Sequence, residues 1–213
     1  MAGQGVGAQH RRMAPAPAAH LDFLSAITDE DRADLLDLAR AERIPRNGYV
    51  FRRGGPGSHA YILREGIVKV FDVSEGGRDT ILWFCFAGEV FGLAEAVAGG
   101  IHGVSARACE SCDVLAIRSD LFRDYLGKHP KASLLCMQAL SSRLRGLGDV
   151  LVNFVSDDVH TRIGKLLLRL ATRYGASHDG EMVLHMPLTH QTVADMVGAS
   201  RPTVTQVLGE LKR

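Results

Sequence analysis

Nothing in this chain of 213 residues stays apolar for the length a bilayer requires, and its first residues lack the apolar core of a secretory leader. Both absences point to a soluble, cytoplasmic protein without a membrane partner. Cysteine is scarce. The four thiols, Cys85, Cys109, Cys112 and Cys136, are too few for a disulfide framework and suit a reducing compartment. Charge of one sign is also lacking: 25 Lys and Arg stand against 24 Asp and Glu, a net charge of +1. Affinity for a polyanion must therefore come from local placement of Arg and Lys. No nucleophile stands beside a base and an orienting group, and no metal-ligand spacing occurs, so an enzyme finds no support. Residues 1–19 hold few large apolar groups and are expected to form a flexible arm.

What is present is concentrated at the C-terminal end. Thr189 is a good N-cap, and Val193, Met196 and Val197 form one apolar stripe. Gly198 permits a left-handed turn, and Ser200 caps a second helix with Pro202 in its first turn. Val204, Val207, Leu208 and Leu211 repeat at helical spacing. This is the pattern of a helix-turn-helix. It leaves Arg201, Thr203 and Gln206 on an outer face, where a helix lying in the major groove of double-stranded DNA presents side chains to base edges. Thr189, Gln191 and Ser200 complete the candidate DNA-contacting set. The bland alternative is a helical hairpin that packs only against its own domain.

Ahead of this element the pattern changes twice. A helical opening over Asp29–Glu42 is followed by a segment rich in glycine and β-branched residues. There Gly66–Val73 alternates, Ser74–Gly77 turns, Thr80–Phe86 returns, and Ser105–Ile117 supplies further strand. Short strands between regular turns suggest a small barrel or jelly roll able to enclose a ligand. After Pro130 comes a long helix in which Met137, Leu140, Leu144, Leu147, Leu151 and Phe154 are spaced like the a and d positions of a coiled coil. That stripe is expected to pair with its copy in a homodimer, the alternative being burial against the chain's own barrel. Gly146 and Gly148 weaken this helix and suggest close approach of another backbone or of a ligand. Asp157–Asp158 reads as a hinge and N-cap. The amphipathic helix Arg162–Arg173 follows, then a short strand hairpin over Gly180–Leu188.

From Leu21 onward the chain resembles the Crp/Fnr family of bacterial transcription regulators. The resemblance rests on Tyr61–Val70, Phe86–Gly92, the heptad helix with Asp158 behind it, and Gly198–Leu208, in the family order. It implies an α+β fold: an N-terminal β-roll, or cyclic-nucleotide-binding-like jelly roll, over 20–129, a dimerisation helix over 130–157 and a winged helix-turn-helix over 158–213. It further implies promoter DNA and RNA polymerase as partners. The family continues into a wing where this sequence ends at Lys212–Arg213, so the wing is expected to be missing.

The effector is not carried over with the fold. In cyclic-AMP-binding members a Gly-Glu pair serves the ribose and phosphate and an Arg clamps the cyclic phosphate. Here Gly92 is followed by Leu93, and Ile101–Gly103, with His102 at its centre, stands in place of the Arg-Ser pair. Leu147 and Gly148 occupy positions where relatives offer hydroxyls to the base. Cyclic AMP is therefore disfavoured, with Glu95, Ser105 or Arg107 left as members of an altered pocket beside Gly92, Leu93, His102 and Leu147. The sequence looks closer to the Fnr branch, but the N-terminal cysteines of that branch's iron-sulfur cluster are absent. Cys109 and Cys112, read as one strand, point to opposite faces, which disfavours a metal and leaves structural thiols as the main reading. Haem, sensed by some members, has His10, His20 and His102 as candidate ligands, each read first as a solvent-exposed histidine for want of an orienting partner.

Overall fold

The computed structural model describes residues 22–178 and 181–212. The expected arm, His10 and His20 lie outside them. The first helices are α1 (Phe23–Ala26) and α2 (Asp29–Leu38), the latter capped by Thr28, whose hydroxyl accepts from the Asp31 N–H at 3.1 Å. The expected helix to Glu42 stops at Leu38. Residues 39–44 instead form strand β1 (Ala39–Ile44), paired antiparallel with Cys112–Arg118 in the register Ala39 to Ile117. Ala-Arg-Ala-Glu-Arg favours helix, but propensity is a weak prior and a backbone ladder with a strand some seventy residues away overrides it.

The strands continue as β2 (Tyr49–Phe51), β3 (His59–Glu65), β4 (Ile67–Val73), β5 (Asp79–Phe86) and β6 (Val90–Phe91). After α3 (Leu93–Ala98) come β7 (Ser105–Ala108) and β8 (Cys112–Arg118). The single strand expected over Ser105–Ile117 is thus two, broken at 109–111. They pair in different sheets, β1-β8-β3-β6 and β2-β7-β4-β5, both antiparallel, and the two sheets face each other as a roll. Leu63, Val68, Val70, Phe91, Ala106 and Val114 fill the space between them. A second core joins the outer face of the first sheet, through Ile62, Leu115 and Ile117, to Phe23, Leu35 and Phe122 of the surrounding helices.

Two helices leave the roll, α4 (Ser119–Lys128) and α5 (Pro130–Ser156), the latter 27 residues long with Pro130 in its first turn. Only Asp157 and Asp158 separate it from α6 (Val159–Tyr174), and the Asp158 carboxylate caps α6 by accepting from the Thr161 N–H at 2.8 Å. The following hairpin is β9 (Gly175–His178) with β10 (Glu181–Leu184). It begins five residues before the expected Gly180, because α6 ends at Tyr174 and its first strand is Gly-Ala-Ser-His, which carries no alternating apolar signal. The chain closes with α7 (His190–Val197) and α8 (Arg201–Leu211). Among the described residues no helix is long and apolar enough to cross a membrane.

A third core joins the apolar face of α6, legible in the sequence as the seat of the helix-turn-helix, to a roll face that was not. Ile163, Leu166 and Leu170 of α6, with Val193, Val197 and Val204 behind them, share one cluster with Ile67, Phe71, Ile81 and Phe84 on the outer face of the second sheet. The C-terminal helices therefore lean on the roll as well as on one another.

Candidate nucleic-acid and effector sites

The turn between α7 and α8 is built by local chemistry. Thr189 accepts from the Thr192 N–H at 3.0 Å and Ser200 from the Thr203 N–H at 3.2 Å, so each cap satisfies a helix-end donor. Gly198 sits at φ 62°, the left-handed conformation that closes α7. Val193, Met196, Val204 and Val207 are buried beneath, and Arg201, Thr205 and Gln206 stay exposed above. The six candidate contact residues are not equivalent. Thr189 and Ser200 spend their hydroxyls as caps. Gln191 donates to Asp195 at 2.7 Å and Gln206 to Glu210 at 3.0 Å, and Arg201 is exposed beside a cleft that its helix forms with Ser74 and Arg78 of the β4–β5 turn and Thr80 of β5. Sequence reasoning missed His190 and Thr205, whose Nδ1 and Oγ1 lie 2.8 Å apart and tie α7 to α8.

On α5 the heptad stripe is bare. Leu144 is 73% and Leu151 67% exposed, and Met137 and Leu140 are also open, although each is a leucine or methionine. Leu147 is half-buried over a cavity shared with Trp83, Arg143 and α6. Phe154 turns toward its own chain, under the Arg162 guanidinium at 4.6 Å from the ring centroid.

The expected effector residues do not converge. Leu93 is buried in the helical core below the roll. Arg107 projects from β7 on the side opposite Ala106 and Ala108, which face the roll interior, and it pairs with Asp79 at 2.7 Å. Ser105 accepts from the Arg53 N–H at 3.0 Å. Gly92 caps α3 at φ 69°, where an added Cβ would fall 3.0 Å from the Tyr61 ring. Only Glu95 and His102 meet, Nδ1 to Oε2 at 3.2 Å. His102 is not solvent-exposed as its sequence context implied. It is 1% exposed, oriented by Glu95, and stacked on Phe51 with ring centroids 3.9 Å apart. The pair was hidden because the seven-residue separation spans a loop.

These positions do not fit a cyclic nucleotide. A cyclic phosphate needs a cation in the roll, and the arginine nearest in sequence faces the other way. Haem fits no better. The His102 Nε2 has no hydrogen-bond partner among the described residues, yet Phe51 stacks on the imidazole and Tyr61 and Phe91 pack with Phe51, filling the room a macrocycle needs. The thiols are likewise poor ligands. Cys109 lies in the loop after β7 rather than in a strand, packed toward the third core, whereas Cys112 faces the roll interior. Burial pushes the Cys85 and Cys136 thiols up to about 12 and Cys109 up to about 11. Among the described residues no group of three His, Cys, Asp or Glu is placed to hold a metal.

Known proteins match this architecture along its length. Residues 41–129 match the model of the cyclic nucleotide-binding domain and residues 161–213 that of the Crp-like helix-turn-helix domain. A CRP-like cAMP-activated global transcriptional regulator of Mycobacterium tuberculosis is 31% identical over 166 residues, 78% of this chain and 74% of the relative. A global nitrogen regulator of Synechocystis is 29% identical over 173 residues, 80% of this chain and 77% of the relative. The solved structure of the c-di-GMP responsive global regulator CLP of Xanthomonas campestris superposes with a TM-score of 0.72 at 22% identity. It covers 87% of this chain and 92% of that one, a likeness of fold.

Proposed function

Given that the chain belongs to the Crp/Fnr family of DNA-binding transcription regulators, we propose that it binds promoter DNA as a homodimer, with α8 of each copy in the major groove and α5 as the seam between copies. The observation that carries this reading is the pairing of two unpartnered faces in one chain: a capped helix with a polar outer row and a long helix with a bare leucine stripe. Arg201 reads a guanine through O6 and N7, Gln206 contacts an adenine, and Thr203 and Gln191 support them. Two half-sites lie about one helical turn, roughly 34 Å, apart. RNA polymerase is the further partner the family brings.

The Mycobacterium relative is cAMP-activated. In this chain the cyclic-phosphate clamp is replaced, and the switching signal enters at the junction of roll, α5 and α6, where the two-residue joint at Asp157–Asp158 transmits it to α8. The test is a mobility-shift titration on selected promoter DNA. Arg201→Ala should lose about 1–3 kcal/mol of discrimination at one base position of each half-site, and affinity should fall steeply with salt. Full discrimination by Arg201→Ala would refute the assignment of that residue. Absence of any salt-dependent, sequence-selective binding would refute the reading as a whole.

A further inference from the structure

A recess with an enclosed volume of about 70 Å³, widely open to solvent, lies where β5 of the roll, the middle of α5 and the last turns of α6 meet. Its lining is cationic: Arg143, Arg169 and Arg173 against one carboxylate, Glu89, so three positive charges less one negative leave two. The existing contacts do not use them up. Arg173 is 3.6 Å from Glu89, Arg143 donates to the Val90 carbonyl, and Arg169 has no hydrogen bond or ion pair with a described residue. The Arg173 Nε is buried with no hydrogen-bond partner among the described residues. Burial lowers the pKa of Arg169, and the adjacent Arg173 cation pushes the same way against Asp149. A surplus of guanidinium charge and a buried unpartnered donor in one recess suit it to an anion.

The walls add shape. Trp83, Leu147, Leu170 and Met196 give the recess an apolar side, and Gly146 leaves its floor open. An added Cβ at Gly146 would meet nothing within 4 Å, so no packing within the chain calls for the poorest ordinary helix former in mid-helix.

We propose that this cavity binds a small phosphate monoester carrying a flat apolar body. Arg169 and Arg173 hold the phosphate, Arg143 adds charge, and Trp83 and Leu147 take the body. A monoester near neutral pH carries close to two negative charges, which the lining balances, and guanidinium forks match phosphate oxygens. Of the positions the family uses for a cyclic nucleotide, Gly92, Leu93 and residues 101–103 do not line this recess, and only Leu147, on the seam helix, does. Because α6 belongs to the DNA-binding end, one ligand here touches the roll, the seam helix and the DNA reader together. The site stands apart from the DNA reading and is tested without DNA.

Trp83 is the only tryptophan in the chain, so its emission reports the site directly. At constant ionic strength, phenyl phosphate, inorganic phosphate, benzoate and phenol are titrated against the full chain. The expected result is a saturable change with phenyl phosphate at a Kd below about 1 mM, weaker binding of inorganic phosphate and benzoate, and no response to phenol. Arg169→Gln and Arg173→Gln should each weaken phenyl phosphate about tenfold or more. Gly146→Leu should abolish binding by filling the floor, with the melting temperature kept or raised because a helix-weakening residue is removed. No saturable response to phenyl phosphate, or undiminished binding in Gly146→Leu together with Arg169→Gln, would overturn the proposal. Benzoate binding as tightly as phenyl phosphate would overturn the choice of phosphate.

Discussion

Phe154, near the end of α5, lies directly against Gly198 at the turn of the helix-turn-helix: a Cβ placed on Gly198 would fall 2.7 Å from Cε1 and Cζ of the ring. The helix that carries the bare leucine stripe thus touches the bend between α7 and α8.

Gly198→Ala meets two penalties at once, a left-handed backbone and the Phe154 ring. The expected loss is about 1–2 kcal/mol for the backbone alone, with more for the contact. In Phe154→Ala the contact is gone, so adding Gly198→Ala should then cost only the backbone part. A double-mutant cycle by urea unfolding reads the difference, and strictly additive losses would show that the ring contact carries no energy.

Leu144 and Leu151 are the most exposed members of the heptad stripe, apart from any partner. Burying each across a seam is worth about 1.5–3 kcal/mol. Leu144→Glu with Leu151→Glu should therefore give a monomer by light scattering, with its far-ultraviolet circular dichroism intact, and should abolish promoter binding. A stable dimer of this variant would move the seam elsewhere.

The thiols should be inert in the folded protein. With Cys85 and Cys136 raised to about 12 and Cys109 to about 11, the thiolate fraction at pH 7 is minute. Ellman's reagent should titrate four thiols in denaturant and react only slowly without it. Rapid native reaction of Cys109, the least buried of the four, would reopen a redox role.

His129 joins α5 to α2, its Nδ1 donating to Asp31 at 2.7 Å while its ring stacks on Tyr125. The hydrogen bond to His129 is the largest cause holding the Asp31 carboxyl below its ordinary 3.8. A depressed carboxylate pKa contributes stability that is present above the unfolded value and is lost as pH falls through the folded one. His129→Asn should lower the melting temperature at about pH 5, and the gap from the parent protein should narrow as pH falls below the ordinary carboxylate range. A gap that stays constant down to acid pH would exclude this linkage.

Calorimetry with cyclic AMP should give no binding heat at ligand concentrations near 1 mM, on the order used to detect weak sites. Micromolar affinity would require the roll interior to open by displacing the Phe51–His102 stack.

The elements that were readable in advance are those whose cause is local. Thr189, Gly198 and Ser200 announce α7 and α8 because caps and turns depend on residues within one helical turn. The leucine row announces α5 because its period is intrinsic. Strand β1 was unreadable because its evidence lies in β8. His102 and Arg107 were assigned to one pocket from sequence position, but strand parity turns Arg107 outward and the loop after α3 folds His102 inward onto Glu95. The Arg169–Arg173 recess needed α6 and β5 brought together, which no window along the chain contains.

The outer face of the second sheet supplies Ile67, Phe71, Ile81 and Phe84 to the same cluster that holds Val193 and Val204. The DNA-binding helices are therefore not a portable cassette. Grafted behind a foreign roll, they would meet a surface that was never shaped to their apolar side. A chimaera made by joining at Asp157 alone should aggregate unless those four positions travel with the graft.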